Sequence, residues 1–118
     1  MPEPTGDLLR RAAEAIRRDA QQLLNEMDAN PRYWSPELSD INAYRQGVDN
    51  GLGGPAGVYT AAWHPGMAFA VADWLDAAAE NAVLHELARA AYGPGSVREW
   101  DAALRTARAY LNEEKTDA

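Results

Sequence analysis

Asp73, Asp76 and Glu80 stand at i, i+3 and i+7, a spacing that lays three carboxylates along one ridge of a helix. Such a row offers hard oxygen ligands to Mg²⁺ or Ca²⁺, and with a facing acidic pair it could activate water for hydrolysis. The other acidic pairs, Asp19 with Glu26 and Glu99 with Asp101, fit that requirement poorly. The ridge is therefore read first as a polar face opposite Ala72, Leu75 and Ala79, and a metal-dependent hydrolase is the alternative. His85 opens His85-Glu86-Leu87-Ala88-Arg89, where Arg89 occupies the place of the second histidine that a zinc-binding HExxH helix needs, so a zincin is excluded. His64 precedes Pro65 without an oriented partner for base catalysis, and reads as a cap or as packing against Trp63. Gly51-Leu52-Gly53-Gly54-Pro55-Ala56-Gly57 lacks both a preceding strand and a Gly-Lys-Ser/Thr ending, which makes it a turn rather than a phosphate cradle. With no cysteine, disulfides, thiolate metal sites and cysteine nucleophiles are excluded. No catalytic residue and no cofactor is assigned.

Two other groups of side chains bear on binding. Arg10, Arg11, Arg17 and Arg18 form i, i+7 pairs that could line a phosphate backbone, but Glu14, Asp19 and Glu26 dilute them into an ion-paired, solvated face. The net charge of -7 argues against nucleic acid for the whole surface, and the acidity is spread evenly, with 6 basic and 9 acidic side chains in residues 1 to 59 and 5 and 9 in residues 60 to 118. Tyr33, Trp34, Tyr44, Tyr59, Trp63 and Trp74 are the stronger signal. Trp and Tyr supply large contact area with few rotors to freeze, so Tyr33, Trp34, Trp63 and Trp74 are the candidate partner-binding residues, with core filling as the competing role.

These residues need elements to hold them. Leu9, Ala12, Ala13, Ile16, Ala20, Leu23, Leu24 and Met27 form one stripe and predict a helix over about 7 to 28, ended by Asn30-Pro31. Ala68, Val71, Ala72, Leu75, Ala78, Ala79, Ala82, Val83 and Leu87 predict a second long helix over about 65 to 91, stopped by Tyr92-Gly93-Pro94-Gly95. Ser96-Val97-Arg98-Glu99 reads as a capping box opening a third over about 96 to 112, with Trp100, Leu104, Ala107 and Leu111 on its stripe. Between the first two lies an aromatic-rich insert, 31 to 63, in which Ser35-Pro36-Glu37 can start a short helix of about 36 to 47 and residues 57 to 63 can add two turns. The expected fold is all-α: one domain over 1 to 118, a small bundle of three long helices with that irregular insert, and a disordered tail at 113 to 118.

The segments Asn30-Pro31-Arg32-Tyr33-Trp34, Ala61-Ala62-Trp63-His64-Pro65-Gly66, Ala70-Val71-Ala72-Asp73-Trp74-Leu75-Asp76 and Ala107-Arg108-Ala109-Tyr110-Leu111 resemble small uncharacterised proteins of actinobacteria and their phages, which join an HPG-like helix start to ADWLD. The resemblance covers about two thirds of the chain, omits residues 35 to 58, and implies a helical fold and a phage or actinobacterial origin. It assigns no activity.

Length, a hydrophobic fraction of 47% and a mean hydropathy of -0.48 describe one small folded domain. No apolar run is long enough for a bilayer and the N-terminus shows no secretory signal, so a cytoplasmic location without membrane contact is expected. Twenty-four alanines and eleven leucines make a thin core for 118 residues. That thinness, the aromatic excess and the missing active-site constellation favour a non-enzymatic interaction protein that binds a protein partner or self-associates.

Overall fold

In the computed structural model, residues 3–35 and 38–113 are described, and among them the chain is all-helical, with no strand. Six helices appear where three long ones are expected: α1 (Thr5–Ala29), α2 (Asp40–Gly51), α3 (Gly54–Ala61), α4 (Pro65–Glu80), α5 (Ala82–Tyr92) and α6 (Arg98–Leu111). The three-helix bundle is thus corrected on two counts. The insert is itself largely helical, and the second long helix is broken in two. The chain packs as two compact units, one of residues 1–16 with 71–118 and one of residues 17–70, so α1 and α4 each contribute to both.

In the first unit α1 begins where the Pro4 carbonyl accepts from the Asp7 and Leu8 amides, and Asp7 places its charge at the positive end of the helix dipole. Leu9, Ala12, Ala13 and Ile16 are buried there with Ala72, Leu75 and Ala79 of α4 and with Trp100, Ala103, Leu104 and Ala107 of α6. Six of these residues are alanine, which lets helix axes approach at the short end of the usual 8–10 Å or so. Trp100, fully buried, supplies the bulk that the alanines lack.

The break between α4 and α5 falls at Asn81, where φ is -104° and ψ is 18° and the amide reaches back only to the Ala78 carbonyl. Asparagine competes for backbone partners and is a poor interior helix residue. The inward stripe nevertheless continues across the break, since Ala72, Leu75, Ala79, Ala82, Glu86 and Arg89 recur at intervals of 3, 4, 3, 4 and 3. Val83 and Leu87, expected on the Leu75–Ala79 stripe, are exposed, while Ala82, His85, Glu86 and Arg89 turn inward.

The capping box is also corrected. Ser96 remains in the Pro94-Gly95 turn, its amide bonded to the Gly93 carbonyl, and α6 starts two residues later behind Val97 with no side-chain cap. Its far end closes as a Schellman motif: Asn112 is left-handed, its amide bonds to the Ala109 carbonyl, and the Glu113 amide bonds to the Arg108 carbonyl at 2.8 Å. The expected tail lies, after Glu113, outside the described residues.

That closure delivers Glu113 to Arg11. The Arg11 guanidinium holds Glu113 at 2.5 and 2.8 Å and Glu3 at 2.8 and 3.1 Å, tying Glu3 and Glu113 to the second turn of α1. Hydrogen bonds from Arg11 lower both carboxyl pKa values, and Arg11 itself is raised. Carboxyls depressed in the folded state contribute stability above their unfolded pKa, near 4.5, and lose it as the pH falls through the folded values. The melting temperature of the native chain is therefore expected to fall more on acidification below about pH 4.5 than that of Arg11→Ala, and parallel curves would refute the clamp.

In the second unit α1 ends at Ala29, as the Asn30-Pro31 signal predicts, with Asn30 bonded back to Glu26. The expected helix start at Pro36 and Glu37 lies outside the described residues. The observed cap is Ser39, whose hydroxyl accepts from the Asn42 amide, so α2 runs later than the expected 36 to 47. That register buries Ala43, Tyr44 and Gly47. Met27, Ala43 and Tyr44 form a small core with Leu23, Leu24, Trp34 and Val48 around it. Gly53 and Gly54 take positive φ, and Pro55 then starts α3 back along α2.

Gly47 is the tightest position in this core, because a Cβ there would overlap the six-membered ring of Trp34. Gly47→Ala is expected to displace the indole and cost about 1–3 kcal/mol by overpacking, read as a lower denaturation midpoint with loss of near-ultraviolet tryptophan dichroism. An unchanged midpoint would show that the ring moves freely.

Candidate interaction surfaces

The four candidate aromatics sit in different settings. Trp34 is half-buried, stacked on Tyr44 at 6.2 Å with Tyr33 edge-on at 4.8 Å, and its indole donates to the Glu26 carboxylate. Tyr33 is exposed along one edge, while its hydroxyl donates to the Gly47 carbonyl at 2.5 Å. Tyr44 lies beneath, its hydroxyl 3.3 Å from the Thr60 carbonyl and its pKa pushed up by burial. Tyr33 and Trp34 thus pin the insert to the last turns of α1. Trp63 and Trp74 are exposed, the first in the second unit with Val58 and Tyr59 of α3 and the second on α4 in the first unit.

Of the polar candidates, Asp73 and Glu80 are exposed and Asp76 is partly so. Among the described residues, no three His, Asp or Glu side chains are grouped to hold a metal ion. His64 serves as a cap: its Nδ1 accepts from the Met67 amide at 3.2 Å and so satisfies one free donor at the start of α4. The arginine strip is ion-paired, with Arg10 on Asp7, Arg11 on Glu3 and Glu113, and Arg18 on Asp19.

The surface that sequence reasoning missed is α5. A helix packed on a core ordinarily turns its apolar face inward. In α5 the polar residues are the ones that turn inward. Glu86 accepts from the Trp100 indole at 2.6 Å and from the Thr5 hydroxyl at 3.2 Å. His85 stacks on Trp100 at 4.9 Å, and Arg89 meets Asp101 at 3.6 Å. Ala82 packs where α1 comes closest, so a Cβ on Gly6 would stand 3.1 Å from its Cβ.

The outer face is then left to Val83, Leu84 and Leu87, exposed by 73, 67 and 63%, together with exposed Ala90 and Ala91, while Tyr92 projects from another side of the last turn. Both charged residues of α5 are used inward, so this face carries no charge. It offers on the order of 500 Å² of apolar surface, at the upper end of what a monomer tolerates without function. The signal was present in the sequence: Val83, Leu84, Leu87 and Ala91 recur at helical spacing. What hid it was that Val83 and Leu87 lie next to the Leu75–Ala79 stripe, about 80° and 120° around the helix from Leu75.

A groove of about 510 Å³ lies beside the α5–α6 turn, lined by Arg89, Arg105 and Arg108 with Asp101 and Glu113. Its lining sets three arginines against two carboxylates, of which Asp101 meets Arg89 and Glu113 is held by Arg11, so it keeps a positive balance. Comparison of the chain with protein-family models, curated proteins and solved structures gives no match. No helix among the described residues is long and apolar enough to cross a membrane.

Proposed function

We propose that this is a non-enzymatic interaction protein whose contact surface is the outer face of α5. The observation that carries the reading is the inverted helix: Glu86, His85 and Arg89 face the protein's own core while Val83, Leu84 and Leu87 face solvent. Leaving two leucines and a valine in water forgoes about 1.5–3 kcal/mol each, which a covering partner recovers. The exposed Trp63 on the second unit is a secondary anchor of the kind found in interface hot spots.

A photo-activatable phenylalanine analogue placed at Leu84, in the expressing cell, tests this. A covalent product is expected from position 84 and none from the exposed, polar Arg98. Absence of any product from position 84 would contradict the proposal.

A further inference from the structure

The outer face of α5 has a symmetry of its own. Its residues fall at 83, 84, 87, 90 and 91, evenly disposed about Leu87, the middle residue of Ala82–Tyr92. Large side chains occupy the first turn, Val83 and Leu84, and small ones the last, Ala90 and Ala91. A second α5 laid antiparallel on a two-fold axis through residue 87 sets Val83 against Ala91, Leu84 against Ala90 and Leu87 against itself. Large meets small at both ends, so the two axes can approach closely there, with the Leu87 pair filling the centre. The same arrangement runs the two helix dipoles in opposite directions.

Charge restricts a second copy to this same face. A chain of net charge -7 repels its own copies over most of its surface. The outer face of α5 carries no charged side chain, so two copies meet there without opposing like charges or burying an ion. An isologous contact also uses one patch on both molecules, which a self-complementary helix face supplies.

We propose that α5 is a homodimerisation helix that pairs antiparallel with α5 of a second copy of this chain about an axis at Leu87. This rests on the reading of α5 as the contact surface. The face is small, so the association is weak and is expected at micromolar rather than nanomolar concentration.

Sedimentation equilibrium of the full chain is expected to show twice the 12.9 kDa chain mass at high micromolar concentration, and the single mass for Leu87→Glu. Because the chain holds no cysteine, introduced thiols report only their own contact. Under mild oxidation Leu87→Cys is expected to form a covalent dimer, Val83→Cys alone is not, and Val83→Cys with Ala91→Cys in one chain is. Leu87 is exposed, so neither substitution at this position should disturb folding, and retained helical dichroism checks that.

A single chain mass at every concentration overturns the pairing, as does cross-linking of Val83→Cys as readily as Leu87→Cys. If the chain stays single while a photo-product from Leu84 has the mass of one chain plus a different protein, only the second-copy assignment fails. A single mass with no photo-product overturns the contact surface as well.

Discussion

Replacing Trp100 with alanine is expected to cost the fold about 3–5 kcal/mol, a large part of the roughly 5–15 kcal/mol that holds a domain together. The residue is 1% exposed and stands among alanines, which cannot move in to fill the space it leaves. Its removal also takes the indole donor from Glu86 and the stacking face from His85. Trp100→Phe separates these contributions in large part, since it keeps one aromatic ring and removes the pyrrole ring with its N–H. The phenylalanine variant is expected to lose about 1–2 kcal/mol, reduced by the partial exposure of Glu86. Urea denaturation followed by circular dichroism checks both. A phenylalanine variant as stable as the native chain would contradict the role given to the indole nitrogen, and one as unstable as the alanine variant would contradict the role given to the ring's volume.

The second large effect is on association, and it is expected to leave folding alone. Leu84→Glu with Leu87→Glu puts two charges on a surface that otherwise has none. Both side chains are more than half exposed, so the denaturation midpoint should move by no more than about 0.5 kcal/mol. If α5 makes a contact, each leucine lost from it removes about 1.5–3 kcal/mol of burial, so affinity should drop a hundredfold or more for the pair. The contrast with Leu75 sharpens the argument. Leu75→Ala, at 0% exposure, is expected to cost about 2–5 kcal/mol of stability, while Leu87→Ala costs the single chain almost nothing. A Leu87→Ala variant as unstable as Leu75→Ala would mean that α5 faces the core after all.

The helical character of the chain and the inward face of α1 are legible in its residues, because Leu9, Ala12, Ala13 and Ile16 follow a single period and are all buried. Trp100 and Leu104 likewise fall on the stripe that the pattern predicts for α6. The starts of helices are harder to place. Ser39 and Ser96 are both good caps by type, and among the described residues Ser39 is used as an N-cap while Ser96 is not, since the choice depends on which register buries Ala43 and Tyr44 and on the Pro94-Gly95 turn. The candidate surface was hidden for a related reason. Val83 and Leu87 extend the apolar pattern but stand about 80° and 120° around the helix from Leu75, beside the stripe that runs on through Ala82, Glu86 and Arg89. Val83 and Leu87 therefore look like core and are not. His85 and Glu86, whose segment lacks the second histidine of a zinc site, hold Trp100.

Methyl NMR spectra of the intact protein recorded at millimolar and then at micromolar concentration test the central claim most directly, since they observe the outer face of α5 and the core together. The account predicts that the Val83, Leu84 and Leu87 methyl signals move on dilution while those of Leu9 and Leu75 hold still. Signals from α5 that stay fixed across that range, or that show the ring-shifted pattern of residues packed around Trp100, would contradict it.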